Sequence, residues 1–315
     1  MDSLPELVQV IKNLENVYIL THMYPDGDAL GSAFALCRIL QKLGKKATVM
    51  LGSCKSNKLN FFRDYIQEQT FEPEYIVSVD LAANSLLDPA LEKYAEKIDI
   101  CIDHHQSNRG YAALNYIDSS AAACCEIIYE VVSKLNVPMD KKIAEGLYIG
   151  ISSDTGCFRY SNTTYKSHLI ASKLIKQGIR VAEINEKFFT LKSRKQLKLE
   201  KVLYDNLEYF FDDKVAITSV SKAEMAKCEI EDDECEGIAS IPIKVEGVGI
   251  GVTLREKQPG NYKVSIRTSA EYDANKLATL FGGGGHLRAS GFDISGSLKE
   301  VKETIIKTLS TELGG

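Results

Sequence analysis

The sequence predicts an α/β protein: a parallel, doubly wound sheet domain joined by a helical linker to a smaller α/β domain. Short β-branched and aromatic runs alternate with helical patterns through the first half, as in parallel strands joined by crossover helices. Asp and His clusters recur where those runs end. From about Tyr209 the texture changes to closely spaced strands, two helices and a glycine run. These shifts place a first domain at 1–190, a helical linker at 191–208 and a second domain at 209–315. A chain of 315 residues, 44% hydrophobic, is long enough for two separate cores.

In order, Leu4, Leu7, Val8, Ile11 and Leu14 are spaced for one face of a short amphipathic helix within residues 1–16. Val17 to Leu20 reads as a buried strand, and Ala29 to Leu43 as a helix apolar on more than one stripe, ended by Gly44. His22, Asp26 and Asp28 fall in the turn between them. Further strands are expected at Ala47–Leu51, at Tyr75–Val79 closing on Asp80, and at Ile98–Ile102 closing on Asp103, His104 and His105. Helices follow at Ala121–Leu135 and Lys141–Ile151, the second running into a small polar loop that carries Asp154, then at Thr164–Gln177 and Val181–Phe189. His168 reads as a satisfied core histidine. The charged stretch Lys192–Leu207 reads as a solvated helical connector. The second domain is expected to hold strands at Lys214–Val220, Ile241–Val245, Gly249–Arg255 and Tyr262–Thr268. Its helices are expected at Asp273–Leu280 and Leu298–Leu313, with FGGGGHLRAS between them; the acidic stretch Glu229–Glu236 reads as a solvated loop or helix end.

A formal net charge of -5 argues against long nucleic acid held on a broad basic surface, while a short phosphorylated ligand stays compatible. The eight cysteines are scattered without a CxxC pair, which reads as reduced thiols. Neither a basic leader nor a membrane-length apolar run is found, so a cytoplasmic protein without membrane attachment is expected.

In an open α/β sheet, the carboxyl ends of the strands bind ligands. Pro-Asp-Gly is also a common turn signature, and Asp28 alone reads equally well as a helix cap. The joint pattern outweighs that reading. His22, Asp26, Asp28, Asp80, His104 and Asp154 offer four carboxylates and two imidazoles, enough for two divalent ions sharing one carboxylate, and mixed Asp and His ligation suits manganese better than calcium. Two such ions about 3.5–4 Å apart activate water and clamp the oxygens of a phosphorus centre, so phosphoester hydrolysis is the implied chemistry.

The series HMYPDGDALGSA, VDLA, DHHQSN and SSDTG resembles the four motifs of the DHH phosphoesterase family, and RTS with GGGGH resembles its DHHA1 domain. The resemblance implies that His22, Asp26 and Asp80 hold one manganese ion and Asp28, Asp80, His104 and Asp154 the other. It further implies that Asp103 orients its neighbours and that His105 faces the scissile phosphate. In the second domain, four glycines alone read as a flexible hinge. The family likeness favours a nucleotide grip instead, in which Arg267 and Ser269 meet phosphate, the amides of Gly283, Gly284 and Gly285 approach it, and His286 stacks on a base. After GGGGH the chain reads Leu287, Arg288, Ala289 and Ser290, where alanines are more usual late in the motif, and Arg288 would add a cation beside the grip.

The layout is similar to the branch of the family that hydrolyses very short RNA to 5′-mononucleotides and dephosphorylates 3′-phosphoadenosine 5′-phosphate (pAp). The expected partners are short RNA oligonucleotides or small phosphorylated nucleotides, with a homodimer permitted. The alternatives are a RecJ-like exonuclease on long single strands, an inorganic pyrophosphatase and a noncatalytic nucleotide sensor.

Overall fold

The structure is a computed structural model and describes residues 3–54, 59–231, 234–235 and 237–313. The first two residues of the amino-terminal helical stretch, and Asp232, Asp233 and Glu236 of the acidic stretch, lie outside the described residues. The chain divides into two compact units, Met1–Leu191 and Lys192–Gly315.

In the first unit the elements are α1 (Leu4–Lys12), β1 (Val17–Leu20), α2 (Gly27–Lys42), β2 (Ala47–Met50), α3 (Leu59–Phe62), β3 (Tyr75–Val79), β4 (Ile100–Asp103), β5 (Leu114–Ile117), α4 (Cys124–Leu135), α5 (Lys141–Asp154), α6 (Tyr165–Ile175) and α7 (Val181–Asn185). Among the described residues the sheet order is β2-β1-β3-β4-β5, parallel throughout. The chain starts at β1, runs outward to β2, then crosses back to β3 on the other side. A topological switch point therefore falls between β1 and β3, and the crevice outside their carboxyl ends is where such sheets bind ligands.

One sheet face, with Val17, Ile19, Val77, Val79, Ile100 and Ile102, packs on α2, α4 and α5. The other buries Leu20, Ile76 and Ile98 under Leu87, Leu91 and neighbours, on and beside the 3-10 turns Asn84–Leu86 and Pro89–Lys97. Helix α2 is buried without a break from Gly27 to Cys37, as its wide apolar pattern suggests. His168 is not a core group: it lies exposed on α6 and stacks on Phe158, with ring centroids 5.0 Å apart. All eight cysteines are free thiols.

The second unit holds α8 (Arg194–Asp205), β6 (Glu208–Phe210), β7 (Val215–Val220), α9 (Lys222–Lys227), β8 (Ile250–Gln258), β9 (Asn261–Thr268), α10 (Ala274–Thr279), β10 (Gly284–His286), β11 (Ala289–Ser295) and α11 (Leu298–Leu313). Its sheet runs β10-β11-β9-β8-β7-β6, parallel between β7 and β8 and antiparallel elsewhere. Ile250, Val252, Leu254, Val264, Ile266 and Phe292 form one face, covered by α10 and α11. Over β7 and β8 the opposite face is covered by Leu199 and Leu203 of α8, Met225 of α9 and Ile241. The charged stretch around α8 is thus more than a solvated connector, because Leu199 and Leu203 are fully buried. Ile241–Val245 is no strand: Pro242 opens a 3-10 turn there, since proline lacks the N–H that a central strand needs. Among the described residues no helix is long and apolar enough to cross a membrane.

Candidate metal centre

The side chains singled out in the first unit gather at the switch point. Asp26 is the N-cap of α2, its Oδ1 accepting the amides of Asp28 and Ala29 at 2.9 and 3.1 Å. The capping role that the sequence offered to Asp28 therefore belongs to Asp26. Asp28 sits in the first turn of α2, fully buried, and accepts the amides of Cys124 and Cys125 at 2.6 and 2.9 Å. It satisfies the N-terminus of α4, where Ala123 at the N-cap position offers no side-chain acceptor.

Asp80 follows β3 in the left-handed region, φ +53°, a conformation uncommon outside glycine and concentrated at functional sites. Asp103 ends β4 with His104 and His105 after it, and Asp154 is the last residue of α5 rather than part of a loop.

His104 Nδ1 faces the carbonyl of Ala121 at 3.2 Å and so carries the proton. That aims Nε2 at three carboxylates: Asp154 Oδ2 at 3.2 Å, Asp80 Oδ1 at 3.4 Å and Asp28 Oδ2 at 3.8 Å. The ligand atoms of Asp28, His104 and Asp154 lie within 4.8 Å of one another, as do those of His22, Asp26 and Asp80. All six candidates thus come together in two adjoining groups.

The electrostatics call for a cation. Burial, and then the neighbouring Asp80 and Asp154, push the Asp28 carboxyl well above its usual range. Burial also pushes Asp154 up, to about 6. Burial alone would raise Asp80 and lower His104. Their mutual contact, with Asp154 added for His104, reverses both, holding Asp80 low and His104 well above its ordinary value. Three carboxylates around one imidazole leave excess negative charge in a dry site, which is costly unless paired. Asp80 Oδ1 is buried and, among the described residues, accepts no hydrogen bond. That orphaned oxygen, in a set of hard oxygens and imidazole, fits divalent ions of the manganese and magnesium kind.

Beside these groups Asp103 spends both oxygens: Oδ1 accepts the His104 amide at 2.8 Å and faces His105 Nδ1 at 2.7 Å, and Oδ2 accepts Asn108 Nδ2 at 2.7 Å. Burial lowers His105, but the Asp103 contact overrides it and the net shift is upward. The sequence reading gave Asn108 and Asn162 no role. Asn162 Nδ2 bonds the carbonyls of Ala122 and Asp154 at 3.1 and 3.0 Å, tying the α4 entry to the end of α5. The polar run DHHQSN was the one available sign of Asn108.

In the second unit, Arg267 and Ser269 lie at the end of β9, and the glycine run is no loose hinge. It enters a hairpin pairing Gly284 with Gly291, Gly285 with Ser290 and His286 with Ala289. A Cβ on Gly283 would sit 2.2 Å from the carbonyl of Gly291, and Gly285, at φ +148°, would meet the carbonyl of Ala289 at 2.6 Å. Arg288 is also not a cation offered beside the grip. Its guanidinium donates to the carbonyls of Ser269, Tyr272 and Ala270, tying the hairpin turn to the loop that follows Arg267. Arg288→Ala is expected to destabilise the second unit by about 2 kcal/mol, read from a denaturant titration, because carbonyls lose charged donors. Arg288→Lys should recover little of it, since an ammonium has no planar fork. A wild-type midpoint for either variant would remove the clamp.

Residues 16–151 match the DHH family, N-terminal domain, and residues 212–314 match the DHHA1 domain. A Thermus thermophilus protein named bifunctional oligoribonuclease and PAP phosphatase NrnA is 29% identical over 317 residues, covering 98% of this chain and 93% of that protein. A Bacillus subtilis protein of the same name is 26% identical, with 92% of each covered. The crystal structure of an exopolyphosphatase-related protein from Bacteroides fragilis superposes with a TM-score of 0.86 at 24% identity, over 99% of this chain and 97% of that one. RecJ from Thermus thermophilus, solved with Mn2+, gives a TM-score of 0.57 at 14% identity, over 98% of this chain and 55% of that one. Both structures share the fold.

Proposed function

This chain carries a DHH family N-terminal domain followed by a DHHA1 domain, and from that membership we propose that it is a manganese-dependent phosphoesterase that hydrolyses very short RNA, dinucleotides included, to 5′-mononucleotides, and pAp to AMP. The observation that carries the reading is the pair of adjoining ligand groups at the switch point with a buried, unbonded Asp80 oxygen between cation-seeking neighbours. The names of the full-length relatives support the substrate class.

Both substrates lose the same bond. Water oxygen forms a bond to phosphorus, the bond from phosphorus to O3′ breaks, and the leaving O3′ takes a proton. His22, Asp26 and Asp80 would hold one ion, and Asp28, Asp80, His104 and Asp154 the other, with Asp80 shared. Two divalent ions, when bound, supply a nucleophile at neutral pH and neutralise charge during in-line displacement. His104, its Nδ1 proton engaged by Ala121, would present Nε2 to an ion. Asp103 fixes His105 through Nδ1 and favours its protonated form, which suits a group that stabilises the phosphate and gives the O3′ proton. Arg267 and Ser269, the amides of Gly283, Gly284 and Gly285, and the ring of His286 would take the substrate's phosphate and base.

The test is turnover of equal amounts of an RNA dinucleotide, a long RNA single strand, pAp and pyrophosphate, with manganese and after chelation. The dinucleotide is expected to be consumed far faster than the long strand, and chelation to stop all turnover. Preference for the long strand or for pyrophosphate would overturn the substrate assignment. Manganese at a hundred times its dissociation constant should also stabilise the first unit by about 2.7 kcal/mol, seen as a rise in Tm that chelation reverses. An unchanged Tm would remove the metal assignment.

A further inference from the structure

A carboxylate stripped of water has to be held by donors, because its desolvation is costly. Glu126, 1% exposed in the first turn of α4, is such a group, and the proposed reaction gives it no part. Its Oε1 accepts the Ser167 hydroxyl of α6 at 2.6 Å, and its Oε2 accepts the amide of Ala122 at 3.3 Å. In a capping box, a glutamate three residues after the N-cap turns back to the N-cap amide. Here the N-cap is Ala123, and Glu126 reaches one residue further, to Ala122.

That amide is half of the peptide group joining Ala121 to Ala122. The other half is the Ala121 carbonyl, which stands 3.2 Å from His104 Nδ1. The bond is trans, so its C=O and N–H point to opposite sides. Glu126 and His104 therefore meet one peptide from its two ends, in the order carboxylate, N–H, C=O, Nδ1–H. Ala121, Ala122 and Ala123 are buried, so this peptide depends on protein partners. Asn162 holds the next carbonyl, that of Ala122, at 3.1 Å and fixes the segment beyond it.

We propose that Glu126 is a positioning residue for the metal centre, acting on His104 through the Ala121–Ala122 peptide. A hydrogen bond to a charged acceptor is stronger than one to a neutral acceptor, and bonds in a chain polarise one another. Glu126, drawing on the Ala122 N–H, makes the Ala121 carbonyl a better acceptor for the His104 proton. The imidazole then keeps one tautomer and one orientation, and its Nε2 becomes a better ligand, as when a carboxylate bonds a ligating histidine directly. The inference rests on the reading of His104 as an ion ligand. It goes beyond helix capping, which needs only the Ala122 N–H and is indifferent to what the carbonyl meets.

The test is a manganese titration of the full chain, with free ion counted by electron paramagnetic resonance, beside NMR of the imidazole N–H protons in the magnesium-loaded protein. The wild type should show the His104 Nδ1 proton far downfield and slow to exchange, identified by its loss in His104→Gln. Glu126→Gln keeps the length and removes the charge; it should weaken one bound manganese about tenfold and move that proton upfield. Ser167→Ala removes the other partner of Glu126 and part of the α6 capping box, so it should lower the urea midpoint and leave manganese affinity as in the wild type. Equal affinity in the wild type and Glu126→Gln overturns the peptide link and leaves the metal reading in place. So does a loss in Ser167→Ala as large as that in Glu126→Gln, since the role would then be structural only. A wild type without the downfield proton overturns the link whatever the variants do. A wild type that binds no manganese overturns the metal reading, and the link with it.

Discussion

Asp80→Asn is expected to lower kcat/KM on an RNA dinucleotide by about a thousandfold or more while leaving the fold intact. Asparagine keeps the shape and tolerates the left-handed backbone that places residue 80 beyond β3. What it removes is the charge that, on the proposed reading, both ligand groups would share. Asp80 lies within 4.8 Å of the ligand atoms of His22 and Asp26, and its Oδ1 lies 3.4 Å from His104 Nε2. Groups that act as one unit fail together, so losing the shared member should cost about as much as losing the whole set. The rise in Tm on adding manganese should disappear with the activity. Metal-dependent hydrolysis within about tenfold of wild type would show that the two groups are not a joint site.

The strand-end residues were legible because apolar runs show where strands stop, and a parallel sheet puts every such stop at one edge. His22, Asp80, Asp103 and His104 follow from that rule alone. The sequence could not show that Asp28 caps a helix 96 residues further on, because Ala123 gives no hint that its cap is supplied from elsewhere. Strand β5 was missed because it is a half-exposed edge of four residues with no buried face to mark it. Residues 241–245 looked like a strand from their β-branched content, and Pro242 decided otherwise. The glycine run was ambiguous in sequence because a hinge and a tight hairpin require the same residue. Only the carbonyls of Gly291 and Ala289 separate the two. Arg288 was misplaced for a related reason: a guanidinium serves phosphate or backbone carbonyls equally well, and composition does not say which is nearer.

The helix crossing beneath the candidate metal centre should be as sensitive as the centre itself. Gly31→Ala is expected to destabilise the first unit by about 2–4 kcal/mol, although alanine favours a helix over glycine by about 1 kcal/mol. A Cβ at Gly31 would stand 2.3 Å from the carbonyl oxygen of Gly146 on α5. That obstacle is backbone, so no rotamer change relieves it and the helices must part. Cys125 Sγ, 3.1 Å from the same Cβ, closes the remaining side. Parting α2 from α5 has a chemical consequence, because Asp28 rides on the first turn of α2 and Asp154 on the last residue of α5. Gly27 and Gly150 continue the contact toward that end: a Cβ on Gly27 would lie 2.7 Å from Ser153 Cβ, and one on Gly150 2.7 Å from Asp28 Oδ1. Manganese affinity should therefore fall along with the urea midpoint, and the surviving folded protein should turn over dinucleotide more slowly even at saturating metal. A Gly31→Ala protein with wild-type midpoint and metal affinity would mean that the helices have room to spare, and that the spacing of Asp28 and Asp154 is set elsewhere.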